Sequence, residues 1–424
     1  MSSPAHGVDV QRAAGWLPDS QDDLEAWLAG HRDRVEAKGD QVQLHPVLME
    51  FKELMDADPV VRMYFEQMIT QVPDTKPYTQ RHLHSVDQLL RLINDVLGMA
   101  PEFSDDVMIM LPLGAILDWT MGTPAGFAAY RDPRVNAMVK KILTAWCDFL
   151  SSRASLYLLN ESPSGWKSAA ARAAIGGIEQ FEHDPDDEHW GFTSWNDFFT
   201  RRFADAQRPV AAADDNSVIV NACESTPYRI AVDVRRQDPF WIKSQPYSLH
   251  DMLAGDQAAE QFVGGTVYQA FLSATDYHRW HSPVAGTIVR AFNVAGTYYS
   301  EADSEGADAV EPKNSQAYLT HVATRAVFVI RADDPAIGLV AFVPVGMSEV
   351  SSCRIDDKMQ PGYHVSKGQE VGYFQFGGST HCLVFGPGVI GDFTLAAVPQ
   401  PHDPKPPLMP VRSKLAVAAV RSPE

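Results

Sequence analysis

Phe376-Gly377-Gly378-Ser379-Thr380 closes a turn-rich, strand-like stretch, and Ser379 opens the last 46 residues of the 424-residue chain. Two successive glycines give the backbone a freedom that side chains forbid, so the Gly378 carbonyl can be presented to the Ser379 hydroxyl in a tight turn. Gly-Gly-Ser alone is an ordinary loop tripeptide. A serine so placed becomes a candidate for self-cleavage once a base is available. Tyr277-His278-Arg279-Trp280-His281-Ser282-Pro283-Val284-Ala285-Gly286 supplies two candidates three residues apart, beside a Pro/Gly turn. Imidazole is the usual proton carrier near neutral pH, and nucleophile plus base is the minimum for an activated serine.

The hydrophobic pattern divides the chain around these motifs. Residues 1–40 mix Pro, Gly and charges and are expected to form a loosely attached arm, with one amphipathic stretch at Leu24-Glu25-Ala26-Trp27-Leu28. Over 41–165 the spacing is helical: Val47, Leu48, Phe51, Leu54 and Met55 share one face, and Asp58-Pro59 ends one helix and caps the next. Further helices are expected over Val86–Leu97, Met108–Met121 and Val135–Leu150, and residues 166–205 form a connecting segment. The acidic run Glu182-His183-Asp184-Pro185-Asp186-Asp187-Glu188-His189 lacks ligand periodicity and reads as a solvated linker. From 206 to 424 the period shifts from 3.6 to 2, with short β-branched runs between Gly, Pro, Asn and Asp. The fold class is α+β, a helical N-terminal domain followed by a β-rich domain.

Composition narrows the partners. With 35 basic against 54 acidic side chains, the formal charge of −19 disfavours nucleic acid and anionic bilayers. Cys147, Cys223, Cys353 and Cys382 form no CxxC pair, so neither a zinc site nor a disulfide framework is indicated. The first residues lack a basic cluster followed by an apolar core, and no window offers 18 uninterrupted apolar residues, so no membrane insertion and a cytoplasmic location are expected.

Together Asp197-Phe198-Phe199-Thr200-Arg201-Arg202-Phe203, Tyr277-His278-Arg279-Trp280-His281, Val345-Gly346-Met347 and Gly377-Gly378-Ser379 resemble, in order, the motifs of the pyruvoyl-dependent phosphatidylserine decarboxylase family. The resemblance covers roughly residues 195–400. It implies a catalytic domain over 206–424 that cuts itself between Gly378 and Ser379. Residue 379 then carries a pyruvoyl group as electron sink, without pyridoxal phosphate or metal, and the two resulting chains stay associated. The segments Ser282–Val289 and His364–Gly372 are similar to hairpins of flattened barrel-sandwich cores.

The family's triad carboxylate is an aspartate after an Arg-Pro pair. Here Arg208-Pro209 is followed by Asn221-Ala222-Cys223-Glu224-Ser225, so the matching position is Glu224. The resemblance thus assigns His281, oriented by Glu224, as base toward Ser379, and His278 as proton donor in turnover. Arg325 and a loop Val345-Gly346-Met347-Ser348 are weaker candidates for holding substrate, and His381 flanks the cleavage point. Ala222-Cys223-Glu224-Ser225, with Glu50-Phe51-Lys52, Ala125-Gly126-Phe127 and Phe149-Leu150-Ser151-Ser152 in the helical region, is similar to the family's fungal branch acting on free aromatic amino acids. That implies a small amino acid as substrate, L-tryptophan first, with phosphatidylserine as the alternative.

Overall fold

The computed structural model describes residues 21–39, 42–72, 82–240, 245–300, 312–400 and 406–420. Its first part is helical: α1 (Gln21–Ala37), α2 (Pro46–Ala57), α3 (Pro59–Thr70), α4 (Val86–Val96), α5 (Val107–Met110), α6 (Pro112–Met121), α7 (Pro124–Ala129) and α8 (Pro133–Leu150). The starts follow the local sequence. Asp58 accepts from the N–H groups of Val60 and Val61 with Pro59 opening α3, and Ser85 accepts from Gln88 N at the start of α4. The single helix expected over 108–121 is broken at Leu111, which adopts φ −114° and ψ 73°. A proline follows, and it disfavours the α region for the residue before it.

The loose arm expected over 1–40 requires a larger correction. Residues 21–37 form α1, whose Leu24, Leu28, His31 and Val35 are buried, with His31 Nε2 3.3 Å from the Leu92 carbonyl of α4. The rest of that arm, residues 1–20, lies outside the described residues. Short helices α9 (Ala169–Ala174) and α10 (Trp195–Phe199) follow α8.

The strands are β1 (Val218–Val220), β2 (Thr226–Val234), β3 (Gly265–Leu272), β4 (Arg279–His281), β5 (Gly286–Val294), β6 (Arg325–Ala332), β7 (Leu339–Ser348), β8 (Ser352–Ile355), β9 (His364–Val365), β10 (Glu370–Gln375), β11 (Gly378–Phe385), β12 (Ile390–Phe393) and β13 (Lys414–Ala418). Helices α11 (Leu249–Met252) and α12 (Pro312–Val322) are inserted among them. Among the described residues the strands make a seven-stranded sheet in the order β2-β3-β11-β7-β6-β5-β9 and two three-stranded sheets, β4-β10-β8 and β1-β13-β12. The two hairpin-like segments of the sequence meet here, since Gly286 pairs with Val365 and Thr287 with His364.

Period-2 alternation gives the large sheet two apolar faces. Val327, Val329, Val343, Val345, Cys382 and Val384 belong to the core that includes the helices. Ala326, Phe328, Ile330, Phe342, Leu383 and Phe385 belong to a second core closed by residues of the smaller sheets, such as Trp280, Phe374 and Leu415. The result is α+β, with the large sheet between the helices and the small sheets. Strand β11 lies inside that sheet, paired on both sides.

Candidate active site

Ser379 is the second residue of β11, fully buried, and opposite Leu272 on one side and Gly346 on the other. On the β7 side the register slips at the critical bond: Gly378 pairs with Ser348 but Ser379 pairs with Gly346, leaving Met347 over. A bulge bends the strand and disrupts the ladder locally. Gly377, at φ +134°, completes the distortion. A Cβ on it would stand 2.1 Å from the Ser348 carbonyl oxygen and 2.5 Å from Val350 N, so only glycine fits. Val345, Gly346, Met347 and Ser348, expected as a loop, are not one. They are the end of β7, laid along the cleavage segment.

The Ser379 hydroxyl has no hydrogen-bond partner. Leaving a buried hydroxyl unsatisfied costs about 1–3 kcal/mol. From Ser379 onward the alternation of β11 turns Ser379, His381, Leu383 and Phe385 to the second core. His381 is fully buried between the rings of Tyr268 and Phe342, at 6.1 and 5.9 Å, and neither ring nitrogen has a partner. Burial pulls its pKa down to about 3.

The histidines of the Tyr-His-Arg-Trp-His motif part ways. His278 is fully buried, its ring stacked 4.1 Å from Phe199, which also packs on Phe376 at 5.1 Å, and its carbonyl accepts from Phe374 N. Burial, then the Arg201 guanidinium, lowers its pKa to about 3, against a backbone contact to Asp276 that raises it. A cleft of about 300 Å³ nearby is lined by Thr200, Arg201, Arg202 and Arg279.

His281 instead stacks against Tyr277 and sits opposite Glu370, nine residues before Ser379. Its Nδ1 is 2.9 Å from the Gly368 carbonyl, and its Nε2 is 3.0 Å from the Tyr277 hydroxyl. Arg412 Nε donates to the same Gly368 carbonyl and lies 3.2 Å from Nδ1. With its proton on Nδ1 the ring donates to Gly368 and Nε2 accepts from Tyr277; with Nδ1 bare it accepts from Arg412 and Nε2 donates to Tyr277. Burial, then Arg412, lowers the His281 pKa to about 3.

The expected contact between Glu224 and His281 is not made. Both Glu224 oxygens accept from Arg208 Nε at 3.2 Å, Oε1 also from Arg208 Nη2 at 2.7 Å, and Oε2 from Val411 N at 2.7 Å. The reason is proximity: a bidentate guanidinium fork is the stronger partner for a carboxylate than one imidazole N–H. Glu224 is nonetheless close in chain terms, because His281 N donates to Ala222 O, two residues before it. Arg325 is held by the backbone. Its guanidinium donates to the Met252, Ala323 and Asp251 carbonyls at 2.9, 2.8 and 2.7 Å.

Tyr277, Arg208 and Arg412 escaped the sequence reading. Tyr277 carried a signal, standing in the motif four residues before His281. Arg208 stood in the Arg-Pro pair that locates Glu224, and Arg412 carried no signal. Among the described residues no group of three His, Cys, Asp or Glu side chains could hold a metal ion, and no helix is long and apolar enough to cross a membrane.

Comparison with known proteins shows the family. A phosphatidylserine decarboxylase family model matches residues 195–400, and a second model of that description matches residues 45–175, in the helical region. The L-tryptophan decarboxylase of Psilocybe cubensis is 33% identical over 397 residues, covering 88% of each chain. The decarboxylase iboD of Amanita muscaria is 44% identical over 302 residues, covering 65% of this chain and 84% of its own. Phosphatidylserine decarboxylase proenzyme 3 of Schizosaccharomyces pombe is 31% identical over 199 residues, only 47% of this chain and 19% of its own. With its motifs in order and relatives matching nearly end to end, the chain is a decarboxylase, a carboxy-lyase of the phosphatidylserine decarboxylase family.

Proposed function

We propose that the protein decarboxylates a free aromatic L-amino acid, L-tryptophan first, after cutting itself between Gly378 and Ser379. The observation that carries the cleavage is the unpartnered Ser379 hydroxyl at a strand bulge whose preceding residue must be glycine. In that reading Oγ attacks the Gly378 carbonyl carbon, its proton passing to an imidazole, and the acyl group moves from nitrogen to oxygen. Loss of the Ser379 α-proton expels Gly378 as a carboxylate. Tautomerisation and addition of water then release ammonia and leave a pyruvoyl group on residue 379. That group supplies an electron sink for the pair released as carbon dioxide departs.

The chain's own residues would do the rest. His278, buried and neutral, is linked to the cleavage segment through Phe199, which packs on Phe376, and this suits it to move a proton there. His281 is held in place by Gly368, Tyr277 and Arg412, and Glu224 acts through Arg208, which accepts from Arg412 at its carbonyl at 3.4 Å. The two chains would remain together, because β11, at the start of the small chain, is hydrogen-bonded to β3 and β7 along its length.

Similarity running through the helical region to an L-tryptophan decarboxylase supports the substrate. The charge of −19 and four unpaired cysteines support action in the cytoplasm. The test is carbon dioxide release from tryptophan, tyrosine, phenylalanine and phosphatidylserine vesicles, without pyridoxal phosphate or metal. Turnover of an aromatic amino acid, abolished by borohydride with substrate or by phenylhydrazine, is expected. Turnover of vesicles alone would overturn the substrate, and an active enzyme made wholly of uncut chain would overturn the cleavage.

A further inference from the structure

Directly after Ser348, the partner of Gly378, the chain turns through Glu349 in the left-handed region at φ +62°. A side chain there is disfavoured and persists only where surrounding contacts hold it. Glu349 is 1% exposed and points away from the sheet to the helical region. Its Oε1 accepts from Gly114 N at 2.5 Å, across 235 residues of sequence, and its Oε2 has no partner. Gly114 stands in the first turn of α6, and Leu111, the residue capping that helix, supplies no side-chain cap. Glu349 therefore caps α6 from the catalytic half of the chain.

The other side of the same turn holds the scissile segment. The Ser348 carbonyl, Glu349 carbonyl carbon and Val350 nitrogen are the three atoms that leave no room for a Cβ on Gly377. One strained turn is thus clamped between α6 and the residue before Gly378. We infer that Glu349 is a positioning residue for self-cleavage, tethering the turn that shapes Gly377-Gly378 to the N-terminus of α6 and so making the helical region part of the maturation machinery. This rests on the cleavage reading above and goes beyond it, because it gives the helices a task before any substrate is present.

The tether works through the neutral acid. Burial raises the Glu349 carboxyl to about 8, against the opposing pull of the Gly114 and Leu113 amides. The titratable neighbour facing it is Tyr299, itself buried and raised by burial, then by Glu349. A neutral carboxyl still accepts from Gly114 N, and so does a glutamine carbonyl.

The experiment follows cleavage over time on denaturing gels for full-length wild type, Glu349→Gln and Glu349→Ala, each from pH 6 to 9, with melting temperatures alongside. Wild type should cut readily and slow above about pH 8, where the buried acid ionises. Glu349→Gln should cut at the wild-type rate near neutrality and lack that alkaline decline. Glu349→Ala should be slower by about tenfold or more at every pH, the order expected when one positioning contact is lost. Cleavage of Glu349→Ala within about twofold of wild type, or a Gln variant that cuts as slowly as Ala or shares the wild-type alkaline limb, would overturn the inference. Should Ala not fold, the Gln comparison decides by itself. Absence of cleavage in wild type would instead sink the cleavage reading.

Discussion

Replacing Gly377 by alanine tests the geometry of the cleavage turn most directly. Two penalties add. A non-glycine residue held at φ +134° is strained by about 1–3 kcal/mol. The new Cβ would lie 2.1 Å from the Ser348 carbonyl oxygen, 2.7 Å from the Glu349 carbonyl carbon and 2.5 Å from Val350 N. All three are backbone atoms that cannot rotate away, so β7 or β11 must shift, at about 1–3 kcal/mol for an overpacked site. The sum, about 2–6 kcal/mol, is a large part of an ordinary folding free energy of about 5–15 kcal/mol. If half falls on the bulged geometry at Gly378, the cleavage rate drops by about 5- to 150-fold. The assay is a gel time course of cleavage, read with the melting temperature. Wild-type rates together with an unchanged melting temperature would refute the claim that this turn is built around a missing side chain.

Other perturbations separate the remaining roles. His278→Ala, which removes the imidazole stacked on Phe199, should leave a chain that cuts poorly or turns over poorly, whereas His281→Ala should block cutting by loosening Tyr277, Gly368 and Arg412 together. Normal maturation of both would remove this motif from the mechanism, which gel time courses and single-turnover rates would reveal. Glu224→Gln removes the charge facing Arg208, so melting temperature and maturation should fall together, with Glu224→Asp milder. Slowed maturation at an unchanged melting temperature would instead mean that Glu224 acts on His281 directly. His381 bears a pKa lowered by burial, so it favours folding above the unfolded value near 6.5 and loses that contribution as pH falls below it. His381→Leu should therefore lose about 2 kcal/mol less than wild type between pH 7 and 5 in urea titrations, and equal losses would place the proton uptake elsewhere.

Much of this molecule was legible in its residues because the relevant physics is local. Asp58-Pro59 caps a helix whatever lies around it, and the change of period after 206 follows from strand geometry. Gly377-Gly378-Ser379 could be singled out because φ freedom belongs to glycine itself, and the order of four motifs identified the family. Even the amphipathic spacing of Leu24 and Leu28 was visible, although only packing against α4 decided that the segment docks. The pairings across the chain were not legible. Glu224 met Arg208 and Val411 N instead of His281, since a carboxylate takes the best donors within reach and reach is set by packing. Tyr277 and Gly368 took the place expected of the carboxylate, His381 came onto the face of Ser379 through the register of β11, and Glu349 reached Gly114 across 235 residues. Local sequence determines which backbone conformations and protonation chemistries are available; only the closed sheet and the helices packed on it determine which polar groups stand within 3 Å of one another.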